Sequence, residues 1–237
     1  EAFSSRMRRG SARACANTSP TEHALAQSQH RLWFLDQLDP GNPVYNIAIA
    51  IVLDGPLNRV ALEQSFRIIS QRHESLRTRF VEREGVPVAV IDDGQNWALD
   101  FVDVSSVPQA EQEESMLQLI REESQRPYVL ESGPVFRVTL YRKNDQEHVV
   151  LVGMHHIISD GWSLGVLARE LGQAYQACIR HETPSLQPLP VQFRDFVQWE
   201  SDQQHHSSGG DLEYWRKQLG GELPELALPL DRPRPPS

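Results

Sequence analysis

Residues 154–163 read Met-His-His-Ile-Ile-Ser-Asp-Gly-Trp-Ser, and they join a predicted strand to a predicted helix. The run Val149-Val150-Leu151-Val152 before them is short, apolar and mostly β-branched, which predicts a buried strand. The segment after them repeats apolar residues at three- and four-residue spacing, which predicts one face of a helix. Asp160-Gly161 then joins strand to helix, and we expect Ser163 to cap the helix.

His155 and His156 are neighbours at the end of this strand. Because side chains alternate along a strand, we expect one imidazole to face the interior and the other to face a cleft. A lone histidine on an apolar strand is more often a hydrogen-bonded core residue. The pattern His-His-x-x-x-Asp-Gly fixes four positions, however, and favours a chemical role over chance. With Asp160 four residues on, such a histidine can act as a general base or position a proton.

Composition restricts the class of protein. The chain has 237 residues, 39% hydrophobic and 23% charged, which is typical of one or two globular domains. The net charge of -9 argues against nucleic acid or an anionic membrane as a partner. No apolar run reaches membrane-spanning length, and the N-terminus lacks the apolar centre of a secretory signal.

The sequence gives no sign of a metal or an intrinsic cofactor. Cys15 and Cys178 are too few for a disulfide framework or a zinc site, so we expect a reducing cytoplasm. No His-Glu-x-x-His, Walker-type or Gly-x-Gly-x-x-Gly motif is present in the sequence. The catalyst that the histidine pattern implies therefore needs neither metal nor bound cofactor.

The periodicity predicts alternating helices and strands, which favours an α/β fold with a mixed sheet. Polar residues 201–210 are expected to form a loop before a short helix at 211–219. The proline-rich segment 228–236 is expected to be extended. Predicted helices cover Leu25–Leu38, Leu57–His73 and Val107–Gln125, and predicted strands cover Val44–Leu53, a hairpin at Phe80–Val90, Val135–Tyr141 and His148–His155.

Four segments together resemble a known family. His-His-x-x-x-Asp-Gly resembles the core motif of the condensation domains of nonribosomal peptide synthetases, in the chloramphenicol-acetyltransferase-like superfamily. Residues 26–33, 72–80 and 192–199 resemble the first, second and fourth core motifs of these domains, in family order. The resemblance implies a chloramphenicol-acetyltransferase-like two-layer sandwich with a mixed β-sheet, here the N-terminal lobe of a two-lobed domain.

The resemblance also implies a division of the chain. We expect a flexible linker or tail at 1–20, the N-terminal lobe at 21–200, and a loop, helix and Pro-rich connection at 201–237 toward a missing C-terminal lobe. Condensation domains have an active site between two lobes, and a single lobe cannot exclude water or position two substrates. We therefore expect the chain alone to fold and to have little condensation activity.

The implied reaction joins a carrier-bound aminoacyl amine to a carrier-bound acyl or peptidyl thioester. By resemblance, His156 lies beside the reacting amine and either accepts its proton or orients it, and His155 is structural. Gly161 is expected to permit a tight turn and to offer its N–H to the oxyanion.

Other residues of the motifs are expected to shape the site. By resemblance, Asp160 pairs with Arg72 or Arg77, because a buried carboxylate left unpaired is costly. Ser163 is expected to cap the helix. A tryptophan directly after the motif glycine, here Trp162, is similar to the condensation-domain subtype that joins two L-configured residues.

The resemblance implies partners as well. Substrates arrive on the 4′-phosphopantetheine arms of an upstream donor and a downstream acceptor peptidyl carrier protein, and an adenylation domain is a neighbour. Two alternatives stay open. One is a related ester-forming, cyclising or epimerising domain, and the other is a catalytically silent module that only docks carrier proteins.

Overall fold

The structure of this chain is a computed structural model. It describes residues 21–94, 97–222, 229 and 232, with the backbone alone at 204–211. The tail expected at 1–20 and most of the proline-rich segment lie outside the described residues. The chain forms two compact units, residues 1–198 and 199–237. The assignment of 21–200 to one lobe stays a prediction.

The first unit combines helices and strands, as predicted, and the strands at Thr21–His23 and Asp100–Asp103 are additional to the predicted ones. The strands are β1 (Thr21–His23), β2 (Asn46–Asp54), β3 (Thr78–Arg83), β4 (Val86–Ile91), β5 (Asp100–Asp103), β6 (Phe136–Arg142) and β7 (Glu147–His155). The α-helices are α1 (Gln27–Leu38), α2 (Arg59–Arg72), α3 (Gln109–Gln125), α4 (Gly161–Ile179) and α5 (Phe193–Gln218). Short 3-10 turns occupy Pro43–Tyr45 and Glu74–Arg77.

The main sheet carries the histidine motif at the end of an inner strand. Its order is β2-β7-β6-β5, with β5 and β6 parallel and the other pairs antiparallel. The mixed sheet is therefore confirmed. A smaller sheet, β1-β4-β3, contains the predicted hairpin, whose turn residues Glu84 and Gly85 both have positive φ angles. Positive φ at both turn residues is typical of tight hairpins.

Apolar residues on alternate positions of β6 and β7 form the core. One face of these strands packs against α2 and α4, and the buried residues there include Phe66, Ile69, Val138, Val152, Met154 and Leu167. On the opposite face, Met116 of α3 joins Tyr141, Val149 and Leu151. Strand β7 is therefore fixed from both sides, so its last residue has a well-defined position.

The helix boundaries follow the sequence in part. Asn58 caps α2 as predicted, with its Oδ1 accepting from the Ala61 N–H at 3.0 Å. The loop predicted at 201–210 is wrong, because α5 runs unbroken from Phe193 to Gln218. Serine and glycine in this stretch have low helix propensity, but propensity is weak and context overrides it.

Candidate active site

His155 ends β7 with its side chain in the interior, 3% exposed. Its Nδ1 accepts a hydrogen bond from the Ile157 N–H at 3.1 Å, so the neutral ring carries its proton on Nε2. The rings of Tyr45 and Tyr128 lie 6.2 and 6.1 Å from the imidazole, measured between centroids. His155 is thus packed into the wall of the fold.

The surroundings keep His155 uncharged. Burial, with a smaller contribution from the charge of His156, lowers the pKa of His155 from 6.5 to about 4. A group that is neutral and bonded at neutral pH cannot serve as a mobile proton carrier there. This geometry agrees with a structural role.

His156 is the first residue after β7 and its side chain is exposed. Its N–H donates to the Tyr45 carbonyl at 2.8 Å, and its own carbonyl accepts from the Ser159 N–H at 3.4 Å. The backbone of His156 is therefore held at both ends while the imidazole is open to an approaching molecule. The predicted divergence of the two histidines agrees with the structure: one is buried and one is exposed.

Asp160, not Ser163, is the residue that caps α4. The Asp160 Oδ1 accepts from the Ser163 N–H at 2.8 Å and from the Ser163 hydroxyl at 2.7 Å, and the Asp160 N–H donates back to the Ser163 Oγ. This reciprocal pair is a capping box. The hydroxyl and N–H of Ser163 hold the pKa of the Asp160 carboxyl below its usual range.

Gly161 and Trp162 form the first turn of α4. A β-carbon at Gly161 would meet no atom within 4 Å, and its φ is not in the left-handed region. The expected tight turn at Gly161 is therefore wrong, because the residue is helical. The helix dipole favours negative charge at this end, and the Asp160 carboxylate already accepts from the Ser163 N–H there. Trp162 is 85% exposed beside it.

The predicted ion pair between Asp160 and Arg72 is wrong. Arg72 instead donates from Nε to Glu170 Oε2 at 2.8 Å, and His73 Nε2 donates to the same oxygen at 2.7 Å. Burial alone raises the pKa of Glu170, but the bonds from Arg72 and His73 outweigh it and hold the pKa below 4.5. Arg72 thereby binds α2 to the middle of α4, the helix that Asp160 caps.

Arg77 does not meet Asp160 either. Its guanidinium donates to the Asp92 carbonyl, beside an ion pair between Arg79 and Asp92. Arg77 lines a cavity of about 770 Å³ to which no residue of 154–163 contributes. The second motif therefore supports the site through Arg72 and His73, and Arg77 belongs to a different region.

Gln29 of the first motif is a site residue that sequence reasoning did not assign. It is buried, and its Nε2 donates to the Ile157 carbonyl at 3.2 Å, while its Oε1 accepts from the Ala26 N–H at 3.1 Å. It therefore fixes the turn after His156 to the start of α1. The signal was available: a glutamine followed by apolar residues at positions 32 and 33 faces the core side of the helix.

The fourth motif meets the second. Gln192 donates from Nε2 to the Arg72 carbonyl at 2.9 Å and accepts from the Glu74 N–H at 3.3 Å. Asp195 in turn accepts from the Gln192 N–H at 2.8 Å. Gln192 thus links the segment before α5 to the end of α2, and Arg72 links the end of α2 to α4.

Within the described residues, no group of three or more His, Cys, Asp or Glu side chains could hold a metal ion. No helix in the part of the chain that the structure describes is long and apolar enough to cross a membrane. Cys178 is a buried free thiol, and Cys15 lies outside the described residues. The cytoplasmic location stays a prediction.

Comparison with known proteins gives the family. The family profile described as "Condensation domain" matches residues 20–237. A component protein of the linear gramicidin synthase of Brevibacillus parabrevis is 46% identical over 215 residues, which are 89% of this chain and 3% of that protein. Phosphinothricin tripeptide synthetase PhsC of Streptomyces viridochromogenes is 38% identical over 89% of this chain and 20% of its own length.

Solved structures agree with the fold. The X-domain in a complex with OxyB from teicoplanin biosynthesis has a TM-score of 0.77 and 29% identity, over 95% of this chain and 50% of that one. The chain thus spans about half of this solved relative and a small part of the synthetases. The chloramphenicol-acetyltransferase-like α/β fold is confirmed, and the chain belongs to the condensation-domain family of nonribosomal peptide synthetases.

Proposed function

We propose that this chain supplies the histidine-bearing half of a peptide-bond-forming site. The observation that carries the proposal is the exposed imidazole of His156, whose backbone is held by two hydrogen bonds near the first turn of α4. The family is one of peptide-bond-forming domains, which agrees with this chemistry. The substrates are an acyl or peptidyl donor and an aminoacyl acceptor, each a thioester on the 4′-phosphopantetheine arm of a peptidyl carrier protein.

The reaction forms one C–N bond and breaks one C–S bond. The acceptor amine attacks the donor carbonyl carbon, an oxyanion develops on the carbonyl oxygen, and the donor arm leaves as a thiol. One proton passes from the amine to the sulfur in the overall balance. His156 acts next to that amine, either by accepting its proton or by orienting its lone pair. An open N–H in the first turn of α4, at Gly161, stabilises the oxyanion.

The remaining residues position these two groups. His155 anchors the end of β7 by its bond to the Ile157 N–H. Asp160 and Ser163 set where α4 begins, and with it where Gly161 lies. Arg72 holds α4 against α2 through Glu170. Trp162 is exposed at the rim, where a substrate or a further part of the domain can cover it.

A second half of the domain completes the site in this proposal. The solved relative is about twice as long as the matched region. His156 and Trp162 are both exposed here. The partners are therefore the rest of the condensation domain, the donor and acceptor carrier proteins and a neighbouring adenylation domain. The isolated chain is expected to fold and to show little condensation activity, because an open site does not exclude water or align two substrates.

The test is reconstitution of the complete condensation domain with an acyl-loaded donor carrier and an aminoacyl-loaded acceptor carrier. Mass spectrometry is expected to show amide product on the acceptor carrier, and the 237-residue chain alone is expected to give little. Amide product at the full rate from the chain alone contradicts the half-site proposal. Full activity with a hydroxyl acceptor indicates an ester-forming domain, and deuterium uptake at the donor α-carbon indicates epimerisation.

The silent docking module is a separate alternative. A relative of this fold is described in complex with another protein, OxyB. A docking module of this kind would hold the loaded carriers and yield no product in the reconstitution. Carrier binding without any amide would therefore favour it over the catalytic proposal.

A further inference from the structure

A cavity of about 200 Å³ lies beside the turn that follows His156. The residues that line it include Ile158 and Ser159 of the turn, Val166 and Leu167 of α4, and His73. The turn brings the α-carbons of residues 156 and 159 within about 7 Å, the distance that defines a β-turn. The cavity is therefore next to the reacting position in the proposed function.

One of the residues that line the cavity, Ser159, has a buried hydroxyl with no hydrogen-bond partner among the described residues. Ser159 is 8% exposed, and among the described residues no group bonds its Oγ. Two other polar side chains of the lining are already engaged: the Ser163 hydroxyl donates to Asp160, and His73 Nε2 bonds Glu170. A buried hydroxyl without a partner is unfavourable, so a polar atom entering the cavity would gain from bonding Ser159.

The size of the cavity limits what fits. An apolar cavity of about 150 Å³ accommodates a benzene molecule. A cavity of about 200 Å³ therefore accepts a single aromatic ring with a small substituent, or a branched aliphatic side chain. Buried Met154 and Leu167 give it an apolar lining, which favours such a side chain over a charged one.

We infer that this cavity is a specificity subsite. It receives the side chain of a substrate residue whose reacting group lies at His156, and it prefers an aromatic side chain that carries a hydroxyl for Ser159. This inference rests on the proposed function, because it needs a substrate at His156. Both the donor residue and the acceptor residue can carry such a side chain, and the experiment shows which of the two binds in the cavity.

The kinetic test uses the complete condensation domain with two substrate series, varied one at a time. Each series carries alanine, leucine, phenylalanine or tyrosine on one carrier with the other substrate fixed. Val166→Phe fills the cavity from α4, and Val60→Phe, at an exposed site of α2, is the control. In one series, Val166→Phe is expected to lower kcat/KM for leucine, phenylalanine and tyrosine by about 10-fold or more while alanine changes less than about twofold.

Ser159→Ala tests the hydroxyl. It is expected to reduce the preference for tyrosine over phenylalanine by about 3- to 10-fold in the same series, because one hydrogen bond is lost. The series that responds identifies the donor or the acceptor as the residue bound. An equal loss for all side chains, or no loss in either series, overturns the inference.

A binding measurement covers the case in which Val166→Phe perturbs folding. The 237-residue chain is titrated with p-cresol and with toluene, and the amide signals of Ile158 and Ser159 are followed by NMR. The wild-type chain is expected to bind p-cresol more tightly than toluene, and Ser159→Ala to remove the difference. If neither probe binds, the subsite inference is wrong, and the proposed role of His156 is unaffected. Loss of all product on reconstitution, with binding retained, instead contradicts the proposed function.

Discussion

Arg72 and Glu170 form an ion pair in which the Nε and Oε2 atoms lie 2.8 Å apart, and it joins the end of α2 to the middle of α4. Both side chains are shielded from solvent, at 16% and 10% exposure. His73 donates to the same carboxylate oxygen. The helix that positions Gly161 is thus held by a pair of charges on its inner face rather than at its capped end.

Removal of one partner is expected to be costly. Arg72→Ala leaves Glu170 with a buried charge and, among the described residues, His73 as its remaining partner, so we expect a loss of about 3 kcal/mol in the free energy of unfolding. Arg67→Ala is the matched control, because Arg67 pairs with Glu63 on the solvent side of the same helix, at 45% and 32% exposure. That variant should lose less than about 1 kcal/mol. Urea unfolding measures both, and equal losses would contradict this assignment.

Burial of neutral His155 makes stability depend on pH. The unfolded histidine has a pKa near 6.5 and the folded one about 4, so between these values the unfolded chain binds the extra proton. Stability is therefore full above pH 6.5 and falls toward pH 4, by up to about 3 kcal/mol. His155→Gln should flatten this slope in urea unfolding at pH 7, 6 and 5. The contribution of Glu170 to stability is lost only below pH 4.5, because its pKa in the folded chain is lower than 4.5.

Gly153 lies close to the hydroxyl group of Tyr128, whose ring packs beside His155. A β-carbon at Gly153 would lie 2.7 Å from the Tyr128 hydroxyl oxygen, which is closer than real β-carbons come. Gly153→Ala is therefore expected to lose about 1–3 kcal/mol of unfolding free energy. In a Tyr128→Phe background the obstructing oxygen is absent, so most of this loss should disappear. The same loss in both backgrounds would show that the hydroxyl is not the cause.

Replacement of Gly161 is expected to lower activity without lowering stability. A methyl group there meets no protein atom, so Gly161→Ala should leave the unfolding free energy within about 1 kcal/mol of wild type or raise it. In the complete domain it should lower peptide formation at least tenfold, because the methyl group stands where the substrate approaches. Gly172→Ala, also in α4 with open space around it, is the control and should keep wild-type activity. Full activity of Gly161→Ala would remove Gly161 from the site.

The sequence predicted helices α1 to α4, the five longer strands and the mixed sheet of the first unit, because apolar periodicity reports which face of each element is buried. It did not predict the short strands β1 and β5. It did not predict which acid Arg72 meets, since the partner is set by how α2 packs on α4. One signal for Glu170 was present. It lies on the apolar stripe of α4 between Leu167 and Ala174, where a carboxylate needs a partner.

Capping of α4 shows a second limit. Asp160 and Ser163 are both good cap residues, three positions apart, and either can begin a helix by propensity. The structure selects Asp160 because its carboxylate reaches the Ser163 N–H. The exposure of His156 depends on how β7 ends against Tyr45, a contact between residues more than a hundred positions apart. Local patterns do not carry that information.

The proposed role of His156 is tested by peptide formation by His156→Ala in the complete condensation domain, measured with loaded donor and acceptor carrier proteins. We expect the rate to fall at least about 100-fold, with an unfolding free energy within about 0.5 kcal/mol of wild type because the side chain is exposed. Peptide formation at the wild-type rate would contradict this role.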